Sequence, residues 1–584
     1  MITDLILDEF LTSIGDTPTS NLDLRIAAKE STDVNDWRLY FNRLSLEQMY
    51  HEYKFVVNQL MYANIDDTKR LALFDQVNQV VSILVGKLRH SYQTQPGVLD
   101  QDKQRALDTV LSIHYLGIMF YHVVWQRAAN KPVTAPKKPF ASLLQGKSTQ
   151  RSPTQVIEHC LYGTMLLLRQ SLFEKYMGYR QDTRVIWQYL NACYRFATLQ
   201  SWQSLWLPLK ISYVPEFDQP QGEWTLTNLY YHCLAMALTN PYACRRPDIL
   251  SLQKTSATWF NQLIISQDLL EKPYVYIDLE SDEPPQVLAI NSAYNPFSAT
   301  SHCLFIMFSR IKTYLLAYAA KAQDSQDIVQ KNYARQANLV HHNINMLLQP
   351  RQDSYDRTGA CDIVLGFQHI HYLLANKMSL NKLIGSEMLP ERLRPRLQKI
   401  DTDKQQAVMT VEGENAQEIR LTQFFSYGSE GSEHTIDKPH PDNQHIIRQL
   451  QVNSLIAIKK HSPEPIWQLG YLKDMHQQLL PTAPRDAVTN RHLQLHFTID
   501  IHSQNVIPCG VRLQSPNSRP AYFLPAFILP KDGAQPTRLV MMRLGYHLDE
   551  RLVIRIGNNE INVRLCKRLT ITDSIEEYAF VKLV

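Results

Sequence analysis

From about residue 33 to residue 380 the apolar positions recur with a helical period. Ser45 opens a helix with Gln48 three residues on, the spacing at which each side chain caps the other's backbone amide. Met49, Tyr53, Val56, Val57 and Leu60 then share one face. Ser152 opens another helix, with Gln155 at the third position and Pro153 at the first, where its missing N–H is no loss. Val156, Ile157, Cys160, Leu161, Met165, Leu168 and Leu172 form its buried stripe. A helix from about Leu226 to Leu238 ends before Asn240-Pro241, because the residue preceding proline is pushed out of the α region. The same period predicts helices near 66–92, 101–128, 181–205, 247–270, 301–323 and 325–348. Successive helical pairs predict a solenoid- or bundle-like stack, and the lack of a 34-residue self-similarity argues against a tetratricopeptide array.

Two stretches break this pattern. Residues 131–153 are rich in Pro, Lys and Ser and read as an exposed loop. Residues 273–300 hold a strand-like run, Tyr274–Leu279, followed by a Pro-containing acidic turn. Beyond about residue 385 the period becomes two. Leu493, Leu495, Phe497, Ile499 and Ile501 alternate with Gln494, His496, Thr498, Asp500 and His502, as in a half-buried strand. Residues 554–565 read as a hairpin about Gly557-Asn558-Asn559, and 452–459 with 467–472 as a second strand pair. Several short strands at this spacing predict an antiparallel β-barrel. The expected fold is therefore α+β and multidomain. Residues 1–385 form a helical region divided near 131–153 and 273–300, and 386–584 form a β-rich domain.

Composition narrows the class. With 584 residues, 44% hydrophobic and 20% charged, the chain is globular and too long for one core, which predicts two to four domains. Its 60 basic and 56 acidic residues leave a net charge of +4, too little for a surface that tracks nucleic acid throughout. The eight cysteines include no C-x-x-C pair, as expected of buried thiols in a reducing compartment. The N-terminus lacks a basic region and a cleavage site. The longest apolar run, Ile113 to Trp125, is interrupted by His114 and His122 and is shorter than a bilayer span. A cytoplasmic protein is expected.

The common catalytic signatures are absent: there is no G-x-S-x-G, Walker A, G-x-G-x-x-G or H-E-x-x-H, so no enzyme is expected. His434, His440 and His445 crowd a polar loop, and His492, His496 and His502 share a strand face, but neither group has metal-ligand spacing. Asp278, Glu280, Asp282 and Glu283 lack the order of a calcium loop and read as a charged turn. No metal or cofactor is expected. Two basic features remain. Arg392, Arg394 and Arg396 crowd the junction between the helical and β-rich parts, where forked guanidiniums could hold a phosphate or a guanine edge. Arg555, Arg564 and Arg568 make the C-terminal hairpin region basic, either as an anion-binding surface or as a charged sheet edge that resists aggregation.

Three stretches carry a family resemblance: Gly222–Leu252, Val452–Leu472 and the C-terminal segment ending in the strand with Tyr578 and Phe580. In them the chain resembles large bacterial proteins that join a helical region to a C-terminal PilZ-type barrel. PilZ barrels bind cyclic di-GMP through an R-x-x-x-R linker and a D/N-x-S-x-x-G strand motif. Arg392 and Arg396 satisfy the first; the nearest counterpart of the second, Phe424 to Gly431, lacks the Asp or Asn. The resemblance implies a non-enzymatic cytoplasmic effector or adaptor in motility, pilus or biofilm regulation. Cyclic di-GMP would be its ligand, kept, altered or lost, and its helical region would bind a protein partner. The alternative is a helical scaffold whose β-barrel is a protein-interaction module without a nucleotide. Nucleic acid and membrane insertion are not expected.

Overall fold

The computed structural model describes residues 37–130, 151–208, 224–268, 270–289, 292–298, 301–323, 327–348, 359–395, 409–413, 418–426, 450–460, 466–479, 490–503, 505–514, 521–531, 536–571 and 575–583. The expected loops at 131–153 and 426–445, and with them His434, His440 and His445, lie almost wholly outside these residues. The chain divides into two compact units, the first of residues 1–95 and 99–351 and the second of residues 96–98 and 352–584. The change from helical to alternating pattern, near 385, thus falls inside the second unit, whose first strand and helices precede it.

Among the described residues the first unit includes the helices α1 (Leu46–Tyr62), α2 (Asp67–Tyr92), α3 (Gln101–Ala129), α4 (Pro153–Met177), α5 (Arg184–Leu199), α6 (Leu226–Leu238) and α7 (Arg246–Trp259). Both capping boxes form: Ser45 with Gln48, and Ser152 with Gln155 beside Pro153. Asp66, Asp100 and Thr225 cap α2, α3 and α6 by accepting from backbone amides of the first turn. From His159 onward α4 is buried around almost its whole circumference, which makes it the central helix of the bundle. By length and composition α2 and α3 could cross a bilayer, but 56% and 78% of their apolar windows are buried inside the unit. There Phe74 of α2 stacks on Phe120 of α3 at 3.8 Å.

The bundle also buries charge. Arg89 pairs with Glu174, which accepts from the Tyr92 hydroxyl at 2.6 Å, and Lys175 meets Asp182 at 2.6 Å. Such groups survive away from water only when paired and hydrogen-bonded.

The strand-like run belongs to a four-stranded antiparallel sheet of order β1-β4-β2-β3, with β1 at Ile264–Ser266, β2 at Val275–Asp278, β3 at Gln286–Val287 and β4 at Cys303–Met307. Helix α8 (Ser309–Gln323) starts after β4, and α7 ends before β1, so the predicted helices at 301–323 and 247–270 each give up an end to a strand. The run Cys303-Leu-Phe-Ile-Met307 is apolar at every position, and periodicity alone cannot separate a buried strand from a buried helix. Asn191 of α5 secures the sheet, donating to the carbonyls of Asp278 and Ser281 at 3.3 and 2.8 Å. Arg184 and Arg195 pair with Glu283 and Glu280 at 2.8 and 2.6 Å, so half of the acidic run serves as ion-pair partners. Helix α9 (Ile328–Leu348) returns against α8 and is held by Asn343, which donates to Thr239 O at 2.7 Å.

The second unit contains two closed antiparallel barrels where the alternation indicated one. The first has strand order β10-β7-β6-β5-β8-β9, from β5 (Gly359–Leu365), β6 (Met409–Gly413), β7 (Glu418–Ser426), β8 (Leu455–Lys460), β9 (Trp467–Leu479) and β10 (Asn490–Ser503). Phe497 and Ile499 of β10 are buried, in keeping with the predicted alternation. The second has order β11-β12-β13-β16-β15-β14, from β11 (Ile507–Leu513), β12 (Leu524–Leu529), β13 (Arg538–Met542), β14 (Arg551–Ile556), β15 (Asn559–Ile571) and β16 (Ile575–Lys582). Its interior is filled by Cys509, Val511, Leu539, Met541, Leu552, Ile554, Val563 and Leu565 around Tyr546 and Tyr578. Val364, Leu455, Leu469 and Tyr471 of the first barrel pack in one cluster with Phe527, Leu529, Val540 and Ile575 of the second. Helix α10 (Phe367–Leu374) joins that cluster through Ile370.

Candidate functional site

Between the first strand of the first barrel and its second, residues 380–393 run over the outside of the second barrel. After α10 comes the short helix α11 (Leu380–Leu383), then two 3-10 turns, Ser386–Met388 and Glu391–Leu393. Leu380, Ile384 and Leu389 bury the outward-facing Val553 of β14 together with Phe523. The carbonyl of Leu383 accepts from Gly557 N at 2.8 Å, and that of Leu393 from Phe523 N at 3.1 Å. Between these anchors Ile384 presses on Gly510, where a Cβ would lie 2.7 Å from its Cγ2. Gly385 sits at φ +57° with the Asn558 amide oxygen 2.7 Å from where a Cβ would be, so the linker turns at a position suited to glycine.

The candidate arginines fall into distinct roles. Arg555 points outward but is covered by the linker and is only 7% exposed. Its Nε donates to Ile384 O at 2.7 Å, and its guanidinium meets Glu560 at 2.8 Å and Asn558 at 3.4 Å. Arg394 donates to the carbonyls of Leu389 and Glu387 at 3.0 and 3.2 Å, holding the linker's own turns. Arg568 donates to the Tyr578 hydroxyl at 3.0 Å and to Tyr546 O at 2.6 Å. Burial raises the Tyr578 phenol, so it stays protonated and donates to Tyr546 O at 2.7 Å. Arg555, Arg394 and Arg568 are thus tied to groups of the fold, Arg555 buried and the other two exposed. Arg392 is exposed and makes no side-chain hydrogen bond or ion pair among the described residues. Arg564 is 48% exposed, with Asp549 at 3.8 Å. Arg396 lies outside the described residues.

Register adds two arginines that the sequence reading did not single out as site residues. Arg551 stands directly across from Arg564 between β14 and β15. Arg512 of β11 stands across from Val553, one step along the same outer face, with its guanidinium 5.4 Å above the Phe523 ring. Strand alternation marks each of these as outward-facing, but only the pairing register makes them neighbours. Among the described residues, no group of three side chains is arranged to hold a metal ion.

Family models match both ends of the chain. One described as the N-terminal domain of the cyclic-di-GMP receptor FimW covers residues 33–269, and one described as the FimW C-terminal β-barrel domain covers residues 509–583. The chain belongs to the FimW family. The FimW barrel match runs from β11 to β16, the barrel that the arginine linker wraps. The FimW N-terminal match takes in α1 to α7 and ends at the start of the sheet. The PilZ resemblance and the FimW matches agree on a C-terminal β-barrel and on a family of cyclic di-GMP receptors, and the family is FimW; the helical N-terminal region and the barrel's six strands are seen in the structure. No curated protein and no solved structure is significantly similar to the chain.

Proposed function

We propose that this protein is a cytoplasmic receptor for cyclic di-GMP that acts by binding and passes the signal to a protein partner, without catalysis. The match of both its ends to a cyclic-di-GMP receptor family carries the reading. An exposed Arg392 on a linker laid over a closed barrel suits a dianionic ligand with two guanines, because a guanidinium forks two donors toward phosphate or the guanine edge. In this reading Arg392 and Arg396 contact the ligand, Arg394 shapes the linker, and the barrel works as a PilZ-like module. The partner surface lies on the helical unit, where Leu316, Val329 and Tyr333 of α8 and α9 are exposed. Cys160, Cys193, Cys233, Cys244, Cys303, Cys509 and Cys566 are free thiols, which fits a reducing compartment. By analogy with the PilZ effectors it resembles, the output is control of motility, pili or biofilm.

Titration calorimetry of the full chain with cyclic di-GMP tests this reading, with cyclic di-AMP and GTP as controls. Saturable heat specific to cyclic di-GMP is expected, weakened in Arg392→Ala/Arg396→Ala. A lack of heat with ligand at roughly tens of micromolar overturns it. That outcome favours the second reading, a helical scaffold with a β-barrel interaction module and no nucleotide, to which the missing D/N-x-S-x-x-G motif points.

A further inference from the structure

We propose that Arg551, Arg564 and Arg512, on the outer face of the second barrel, form a phosphate-binding rung that receives a phosphodiester of the bound cyclic dinucleotide. This rests on the receptor reading above and adds to it a site away from the linker arginines.

Closure of the barrel removes the ordinary explanation for this basic hairpin. A charged outer strand often protects a sheet edge from pairing with other chains. Here β14 pairs with β11 and β15, and β15 pairs with β14 and β16, so neither strand is an edge. Edge protection is therefore not what these charges do.

The register also works against their being neutral decoration. Arg551 and Arg564 are directly opposite, which places their Cβ atoms about 4.5–5.5 Å apart, and like charges so placed repel. Their inward neighbours, Leu552, Ile554, Val563 and Leu565, fill the core, so both guanidiniums share the solvent face. The only ion pair to the rung among the described residues is Asp549 with Arg564 at 3.8 Å, and Asp549 is 78% exposed. A contact of that kind contributes little. The third member supplies an independent sign. The Arg512 guanidinium is held over Phe523 and ties one nitrogen to Leu513 O at 3.2 Å, while its Nε is shielded from solvent and finds no acceptor among the described residues. Three donor forks on three adjacent strands, one already fixed in place, can each offer charge-assisted hydrogen bonds to phosphate oxygens. An anion at the rung would relieve the repulsion between Arg551 and Arg564.

The test uses the full chain and cyclic di-GMP in calorimetry, comparing wild type with Arg551→Gln, Arg564→Gln and the double variant. Each single variant is expected to weaken binding by about tenfold and the double by more, with a smaller loss of affinity as salt is raised. Without ligand, melting of both singles should be unchanged or higher, because a repulsive pair is being removed; a merely structural role predicts lower melting and unchanged affinity. If wild type binds and the double variant binds equally well, the rung is wrong and the receptor reading stands. If wild type does not bind, the receptor reading falls and the rung with it.

Discussion

Arg555 reaches across from β14 to donate to the Ile384 carbonyl at 2.7 Å, so a side chain of the second barrel holds the linker that bears Arg392. Burial behind the linker makes this a latch. Arg555→Met removes the donor to Ile384 and the pair with Glu560 while keeping apolar bulk. Leaving a buried carbonyl without its partner costs about 1–3 kcal/mol. The loss should appear locally, as faster hydrogen exchange at the Gly557 and Phe523 amides, which donate to the linker carbonyls of Leu383 and Leu393. Unchanged protection at both amides would show that apolar packing alone seats the linker.

The Arg89–Glu174 pair sets a comparable expectation for the helical unit. Both side chains are almost fully buried, at 7% and 0% exposure. Glu174→Gln would strand the Arg89 charge, and breaking a buried pair from one side costs about 3–5 kcal/mol. A double variant, Arg89→Met with Glu174→Leu, should recover most of that loss because no charge is left behind. Denaturant unfolding of the full chain reads both; equal midpoints for Glu174→Gln and wild type would refute the idea.

How much of this was legible in the sequence depended on the range of the signal. Ser45 with Gln48 and Ser152 with Gln155 are local, and the helices begin where these pairs indicate. The turn at Gly557-Asn558 is local too, and β14 and β15 flank it. Three strands of the first barrel, β8, β9 and β10, were legible as the pair at 452–459 and 467–472 and the alternating run at 493–502, but its closure was not, because its opening strand at Gly359–Leu365 is separated from β6 by the linker and pairs with β8, nearly a hundred residues away. Arg555 shows the same limit at the scale of one residue. Alternation places it outward, as predicted, yet its exposure is decided by a segment some 170 positions earlier. The Arg551–Arg564 pairing likewise follows from a register that composition cannot state.

Acid should destabilise both units for one reason. Burial holds the His371 imidazole down to about 4, even though its Nε2 donates to Cys509 O at 3.0 Å. Burial also lowers His114 and His232 of the helical unit well below the usual histidine value. In the unfolded chain these rings titrate near 6.5. Above that pH both states are neutral and the full stability is present. As pH falls from about 6.5, the unfolded chain gains protons that the folded chain refuses, so stability drops by about 1.4 kcal/mol per pH unit for each such group. For His371 the loss amounts to about 3 kcal/mol by pH 4. Melting of the full chain should therefore fall steeply between pH 6.5 and 4. In His371→Gln, whose amide can still donate to Cys509 O, the transition of the barrel unit should depend less on pH than in wild type, while that of the helical unit keeps its slope. An equal slope in both proteins for the barrel transition would mean that the folded state admits the proton at His371 after all.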